Sequence, residues 1–216
     1  MTQKLLDRAD RRLVQREAIL DAALEVFASE GFKGAATSEI ARRAGVPKSV
    51  LYYYFPTKKQ LYAEAFEHIL EIWDSLFDES SAPHDPAVTL SNYIRRKIEM
   101  AVERPAISKL FTMENMREEP ILLDIWSSAK SDALRHAKLL QSWMDAGLIR
   151  QQDPLLLLVH IWSICEYYSM NERQLMQFLG DTEWNSGLTE RLVREATNFV
   201  LTACGIQKGA TADRNA

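Results

Sequence analysis

A chain of 216 residues with 47% hydrophobic and 26% charged residues is long enough to bury a sizeable core and too apolar to remain disordered. Eight glycines and seven prolines fall as punctuation between long periodic runs, which points to an all-α protein. No apolar run approaches the ~20 residues that span a bilayer, so a membrane protein is not expected.

The formal net charge of -4 hides an asymmetry: residues 1–60 hold 11 Lys and Arg against 7 Asp and Glu, and the remainder is acidic. A basic head on an acidic body implies that only the head meets a polyanion. The start, MTQKLLDRADRRLVQRE, is charged throughout and does not read as a signal peptide. Cys165 and Cys204 sit in apolar helical patterns without metal-ligand spacing, as buried reduced thiols of a cytoplasmic protein would.

In chain order, residues 12–30 place Ala18, Ile19, Ala22, Ala23, Val26 and Phe27 on one helical stripe, with Gly31 as a C-terminal cap. Thr37 is a suitable N-cap for a short helix that Gly45 ends. Val46-Pro47 opens a second short helix, which Phe55-Pro56 closes. Two short helices joined at a glycine and preceded by a longer one make a helix-turn-helix arrangement. Thr57 then caps a long amphipathic helix to about Asp78, followed by a loop over residues 80–85. Asp85-Pro86 starts a helix that Arg104-Pro105 breaks; Pro120 starts another, ended by Gly147. Asp153-Pro154 opens a strongly apolar helix to Met170, a polar stretch covers 180–187, and a last helix runs over 188–204.

The run SVLYYYFPTK, Ser49 to Lys58, reads as a buried strand or as a helix offering aromatics to a partner. On a helical wheel, Val50, Leu51, Tyr54 and Phe55 share one side and Lys48, Ser49, Tyr52 and Tyr53 the other. A strand would leave Val50, Tyr52 and Tyr54 on one face with no cation among them, so the helix makes better chemical sense. An exposed Lys-Ser-Tyr-Tyr face suits a DNA major groove, where hydroxyls and lysine reach phosphates and rings meet thymine methyls. Lys58 and Lys59 lie where free backbone N–H groups also favour a phosphate. Solvated lysines and surface tyrosines fit the wheel as well.

Residues 15–62 decide between these, through Thr37-x2-Ile40-Ala41-x2-Ala44-Gly45-Val46-x4-Leu51-Tyr52-x2-Phe55-x2-Lys58-x2-Leu61. That ordered signature resembles the DNA-binding domain of the TetR family of bacterial repressors. The resemblance implies a three-helix DNA-binding head on a helical ligand-binding and dimerisation body, with about nine helices in all. It implies a homodimer on a near-palindromic double-stranded operator. Domains are then expected at 1–57 (arm and head), 58–206 (body) and 207–216 (a disordered tail). The family's DNA contacts carry over to Thr37, Ser38, Lys48, Ser49, Tyr52, Tyr53, Tyr54 and Lys58, although the wheel turns Tyr54 partly inward. Arg8, Arg11 and Arg12 in the arm either touch phosphate or the minor groove or are solvated.

Further motifs, from Ile69-Leu-Glu-Ile-Trp73 and Tyr93-Ile-Arg-Arg-Lys-Ile-Glu99 to Pro105-x3-Lys-Leu-Phe-Thr-Met-Glu114 and Asp153-Pro-x6-Ile-Trp162-x4-Tyr-Tyr168, resemble the pyrimidine-utilisation branch of that family. That branch implies release from DNA on binding uracil or thymine, and no cofactor. From the residues alone, Trp73, Phe111, Met113, Met116, Trp126, Trp162 and Tyr167 supply aromatics and thioethers from separate helices, with Glu114 and Glu166 among them. An aromatic wall beside a carboxylate suits a small planar ligand with N–H donors. The effector residues are therefore expected to be Trp73, Phe111, Glu114, Trp162, Glu166 and Tyr167, unless these are ordinary core or paired with Arg95 or Arg117. The branch's pattern has an amide-type residue near Glu166, and a carboxylate only accepts. An aminopyrimidine, a purine or a cationic amine therefore competes with uracil. Homodimerisation is expected through helices 154–170 and 188–204, the first being apolar all round.

The expected function is a ligand-responsive DNA-binding transcriptional regulator, a repressor in the bacterial cytoplasm. The alternatives are an architectural DNA-binding protein without a ligand and, more remotely, a small helical enzyme. For the enzyme, none of His68, His84, His136 and His160 is paired with a nucleophile or second ligand at a usable spacing.

Overall fold

Ten helices and no strand occur among the described residues, joined by turns at the glycines and prolines that punctuate the sequence. The structure, a computed structural model, describes residues 2–77, 85–117, 121–122, 125–180 and 183–206, with side chains from residue 11 onward except those of Ile125, Trp126 and Ser128. Most of the expected loop 80–85, the helix start at Pro120, the tail from 207 and the side chains of Arg8 and Trp126 lie outside the described parts.

Helix α1 (Thr2–Gly34) is interrupted at Gly31, whose φ of 68° lies in the left-handed region, so the expected break is present with one further turn beyond it. Helices α2 (Thr37–Arg43) and α3 (Lys48–Tyr54) are joined through Gly45, with a φ of 67°. Val46 N donates to Ala41 O at 3.0 Å and Gly45 N to Arg42 O at 3.2 Å, the paired bonds of a Schellman cap. One expectation is corrected here. Ala36, not Thr37, holds the N-cap position of α2, and the Thr37 hydroxyl lies 3.0 Å from Tyr52 Oη, a partner on another helix.

Helix α4 (Lys58–Ser75) begins under Thr57, whose Oγ1 accepts from Gln60 N at 3.1 Å, and stops short of the expected Asp78. Asp85 caps α5 (Pro86–Glu103) by accepting from Ala87 N and Val88 N; Asp153 does the same for α8 (Pro154–Met170) through Leu155 N and Leu156 N. Between them lie α6 (Pro105–Asn115) and α7 (Ile125–Asp145). Helix α9 (Glu172–Leu179) follows a break at Asn171 and ends at Gly180, with α10 (Ser186–Ala203) last. Sequence reading assigned no element to 171–179. Only two residues of α9, Leu175 and Met176, are buried, too few for a clear period.

The helices form two compact units, Met1–Ile72 with Ala106–Trp126, and Trp73–Pro105 with Ser127–Ala216. The division between the units falls inside α4 and groups α6 with the helix-turn-helix. In the first unit, α2 packs on α1 and α3 over Ile19, Leu20, Phe27, Ile40, Leu51 and Phe55, all fully buried. Tyr62 sits among Phe27, Phe32 and Phe66, with ring centroids 4.8, 5.0 and 5.0 Å away. In the second unit, α5 packs on α8 and α10 over a core that includes Leu90, Ile94, Ile98, Leu140, Leu158 and Ile161. Cys165 and Cys204 are buried and unpaired there; burial pushes the Cys165 thiol up to about 12.

A Cβ at Gly45 would meet open space, so Gly45→Ala carries the conformational penalty alone. It should lower stability by about 1–2 kcal/mol in denaturant melts. His68 places Nε2 3.6 Å from Asp21 Oδ1 and Nδ1 3.6 Å from Glu71 Oε2; Asp21 foremost raises its pKa above 6.5. A raised folded pKa gives a contribution that is full below the unfolded value and fades as pH rises through the folded one. Between about pH 6 and about pH 8.5 the thermal midpoint of wild type should fall more than that of His68→Gln.

Candidate functional site

The outward side of α3 carries Lys48, Ser49, Tyr52 and Tyr53, all exposed, while Leu51 and Phe55 are buried and Val50 and Tyr54 half-buried. The division is the one the helical wheel requires. Tyr53 is 64% exposed. Each tyrosine is nonetheless held. Tyr52 meets the Thr37 hydroxyl and lies beneath the Lys48 ammonium, 5.7 Å from the ring centre. The Tyr53 hydroxyl accepts from the Arg12 guanidinium, which also stands 5.6 Å over its ring. Tyr54 donates to Gln15 Oε1 at 3.4 Å and packs edge-on against Tyr53.

Charge beside this face is partly neutralised. Glu39 on α2 accepts from Arg42 and Arg43, and those two bonds hold its carboxyl down at about 2. Ser38 is exposed in the first turn of α2. Lys58 donates to Lys33 O at 3.3 Å and lies over the Phe32 ring, so its ammonium is engaged at the end of α1. Arg11 in the arm is exposed.

The six residues expected to bind an effector fall in both units. Phe111 and Glu114 belong to the first unit. Phe111 packs against Phe66 at 6.3 Å, and Glu114 is 4% exposed. Glu114 accepts from Tyr62 Oη at 2.8 Å, Ile121 N at 2.6 Å and Leu122 N at 3.1 Å, with Arg117 Nε 3.0 Å away. Its acceptor capacity is consumed within the unit, and burial foremost raises the Tyr62 phenol. Met113 and Met116 are exposed.

Trp73, Trp162, Glu166 and Tyr167 belong to the second unit. Trp162 and Glu166 are one turn apart on α8, facing Tyr93 and Lys97, one turn apart on α5. Two rungs result: Trp162 Nε1 donates to Tyr93 Oη at 2.7 Å, and Lys97 Nζ lies 3.5 Å from Glu166 Oε1. The Lys97 ammonium also stands 4.4 Å over the Trp73 ring. Lys97 is 5% exposed, and this burial pulls its pKa down while the Glu166 charge opposes the shift. Burial raises the Tyr93 phenol. Tyr167 points elsewhere, 42% exposed and donating to Gln174 Oε1 at 2.9 Å. Neither Arg95 nor Arg117 pairs with Glu166; Arg95 binds Glu99 and Glu190. Sequence reasoning missed Lys97, although a lone lysine among the apolar positions of α5 is a visible signal.

A family model described as bacterial regulatory proteins, tetR family, matches residues 19–65. A second, described as YcdC-like protein, C-terminal region, matches residues 66–207. The chain belongs to the TetR family of bacterial regulatory proteins.

Among its relatives, the HTH-type transcriptional regulator RutR of Escherichia coli O157:H7 is 34% identical over 169 residues, covering 78% of this chain and 80% of that one. The HTH-type transcriptional repressor NicS of Pseudomonas putida is 26% identical over 196 residues, covering 82% and 86%. The solved fatty acid degradation regulator FadR from Bacillus halodurans shares the fold, with a TM-score of 0.66 and 17% identity over 86% of this chain and 97% of that one. This TetR-family chain is accordingly a DNA-binding, ligand-responsive transcriptional regulator and not an enzyme. Among the described residues no helix is long and apolar enough to cross a membrane, and no cluster has the ligands to hold a metal ion.

Tyr62→Phe keeps the ring packing and removes the donor to buried Glu114. It should lower stability by about 1–3 kcal/mol in denaturant unfolding, with little change in the slope.

Proposed function

We propose that this regulator is a homodimeric repressor that a small planar nitrogenous effector releases from its operator. The observation that carries the reading is the exposed Lys48-Ser49-Tyr52-Tyr53 face of α3, ordered by Thr37 and Arg12 before any DNA arrives. Rings and hydroxyls already held in place lose little entropy on binding. Thr37, Ser38, Lys48, Ser49, Tyr52, Tyr53, Tyr54 and Lys58 are the proposed DNA contacts. For Lys58 this means exchanging the Lys33 carbonyl for a phosphate.

The dimer interface is proposed on α8 and α10. Leu155, Leu156, Val159 and Tyr167 stand exposed at helical spacing on α8, and Phe199 is 65% exposed on α10. Such a stripe is what an isologous interface would cover. Two α3 helices about 34–36 Å apart would then enter successive major grooves of a near-palindromic operator.

The effector is proposed to bind at Trp73, Trp162 and Glu166. Similarity to RutR and to the pyrimidine-utilisation branch supports a pyrimidine or a related compound. Helix α4 contains both Tyr62 and Trp73, so a ligand at Trp73 acts on an element that the DNA-binding unit shares. Tilting of α4 would change the spacing of the two α3 helices. The shift is driven only by the effector's differential affinity for the two arrangements.

Duplexes selected from a random pool with the wild-type protein supply the operator probe, and fluorescence anisotropy reads its affinity. Tyr53→Ala should weaken binding at least about tenfold, because it removes a base-facing ring. Lys48→Ala should lower the slope of log affinity against log salt by about 1. If both variants bind like wild type, α3 does not enter the groove by this face.

A further inference from the structure

The arginines around the helix-turn-helix are engaged differently. Arg16 pairs with Glu64 at 2.5 Å, and Arg42 and Arg43 pair with Glu39. Arg12, exposed in the arm, meets no carboxylate among the described residues. Its guanidinium is directed at one phenol, donating to Tyr53 Oη and standing 5.6 Å over the ring. One turn further along the same face of α1, Gln15 Oε1 accepts from Tyr54, and the Arg16 guanidinium lies 5.7 Å over the Phe55 ring. Helix α1 therefore holds Tyr53, Tyr54 and Phe55, consecutive residues at the end of α3, each with a side chain of its own.

The direction of these bonds decides what is left for DNA. A guanidinium has only donors, so the Tyr53 oxygen must accept from it, and the phenol proton is turned elsewhere. The Tyr54 proton goes instead to Gln15. Tyr52 shares its hydroxyl with Thr37, and either oxygen can be the donor. Of the three tyrosines, Tyr53 is the one whose partner cannot take its proton, and it is also the most exposed.

Resting on the reading that α3 enters the groove by this face, we infer that Arg12 is a positioning residue in operator recognition: it fixes Tyr53 so that the phenol donates its proton to an acceptor on the DNA, a phosphate oxygen or a base-edge acceptor in the major groove. Arg12 acts through Tyr53 and not on a phosphate of its own. A hydroxyl held as a donor rejects the amino edges of adenine and cytosine. Without Arg12 the phenol could present its lone pairs as readily as its proton, and the polarity of the contact would be lost.

Fluorescence anisotropy with the selected operator duplex tests this. Tyr53→Phe keeps the ring and removes the proton, and should weaken binding about threefold to tenfold, the value of one uncharged hydrogen bond. Arg12→Ala should weaken binding by a similar factor in the wild-type background. In the Tyr53→Phe background the same change should cost no more than about twofold, because coupled residues do not add. Neither variant should alter the slope of log affinity against log salt. Both side chains are exposed, so both variants should melt with wild type. A scan of single methylphosphonates across the half-site should find one that weakens wild type and leaves Tyr53→Phe unchanged, which assigns the acceptor to a phosphate. For a base-edge acceptor, duplexes reselected with Tyr53→Phe lose a base preference at one position instead. Absence of both effects overturns the inference. So does wild-type affinity in Arg12→Ala, additive loss in the double variant, or an Arg12→Ala salt slope lowered by about 1, the mark of a direct phosphate contact. Wild-type affinity in Tyr53→Phe with Tyr53→Ala still weak removes this inference and leaves the reading of the face. Wild-type affinity in Tyr53→Ala removes both.

Discussion

The ring and the hydroxyl of Tyr62 have opposite requirements, and the DNA-binding unit is arranged around meeting both. The ring is enclosed by Phe27 and Phe32 of α1 and Phe66 of α4, where edge-on and tilted contacts suit aromatic quadrupoles. The hydroxyl, drawn into the same interior, needs an acceptor and finds Glu114 of α6 at 2.8 Å. A carboxylate buried to that depth must in turn be satisfied. The backbone amides of Ile121 and Leu122 and the Arg117 guanidinium supply the remaining donors. One buried phenol thus commits α1, α4, α6 and the segment after α6 to a single packing unit. The helix-turn-helix rests on α1 within that unit, so the position of α3 inherits its rigidity.

The same physics acts differently on the second acidic residue. Glu166 is part-exposed on α8, and among the described residues its charge is matched by Lys97 from α5. A carboxylate with four donors is finished as a structural element. One with a single partner and a solvent-facing edge is not. The rung above it, where the Trp162 indole donates to Tyr93, is short and complete, and fixes the spacing of α5 and α8 at which the charged rung is set. Position on neighbouring turns makes these two rungs a geometric unit.

On α3 the surface is organised by contacts that leave the proposed DNA-contacting side chains outward. Thr37 binds Tyr52 instead of capping its own helix, and Arg12 holds Tyr53. Glu39 meanwhile binds Arg42 and Arg43, so the two most obvious cations of α2 are occupied within the helix. The head's excess positive charge is therefore presented through Lys48 and the arm more than through α2.

Much of this was legible in order along the chain. Asp85-Pro86, Asp153-Pro154, Thr57 and Gly45 marked helix ends because caps, proline and left-handed glycine act through their own few residues. The period of residues 48–55 separated the buried from the outward side of α3 for the same reason, and an ordered signature around it identified the family. The weak helix at Glu172–Leu179 was not legible, since a short element with two buried residues leaves no period to count. Which acid was saturated and which was open lay beyond the sequence. Glu114 and Glu166 look alike as letters, and the difference is made by residues 52 and 69 positions away, Tyr62 and Lys97, brought close only by packing. Local order determines the helices and their faces; partners distant in sequence are chosen when those faces meet, and a buried charge takes its role from the partner it finds there.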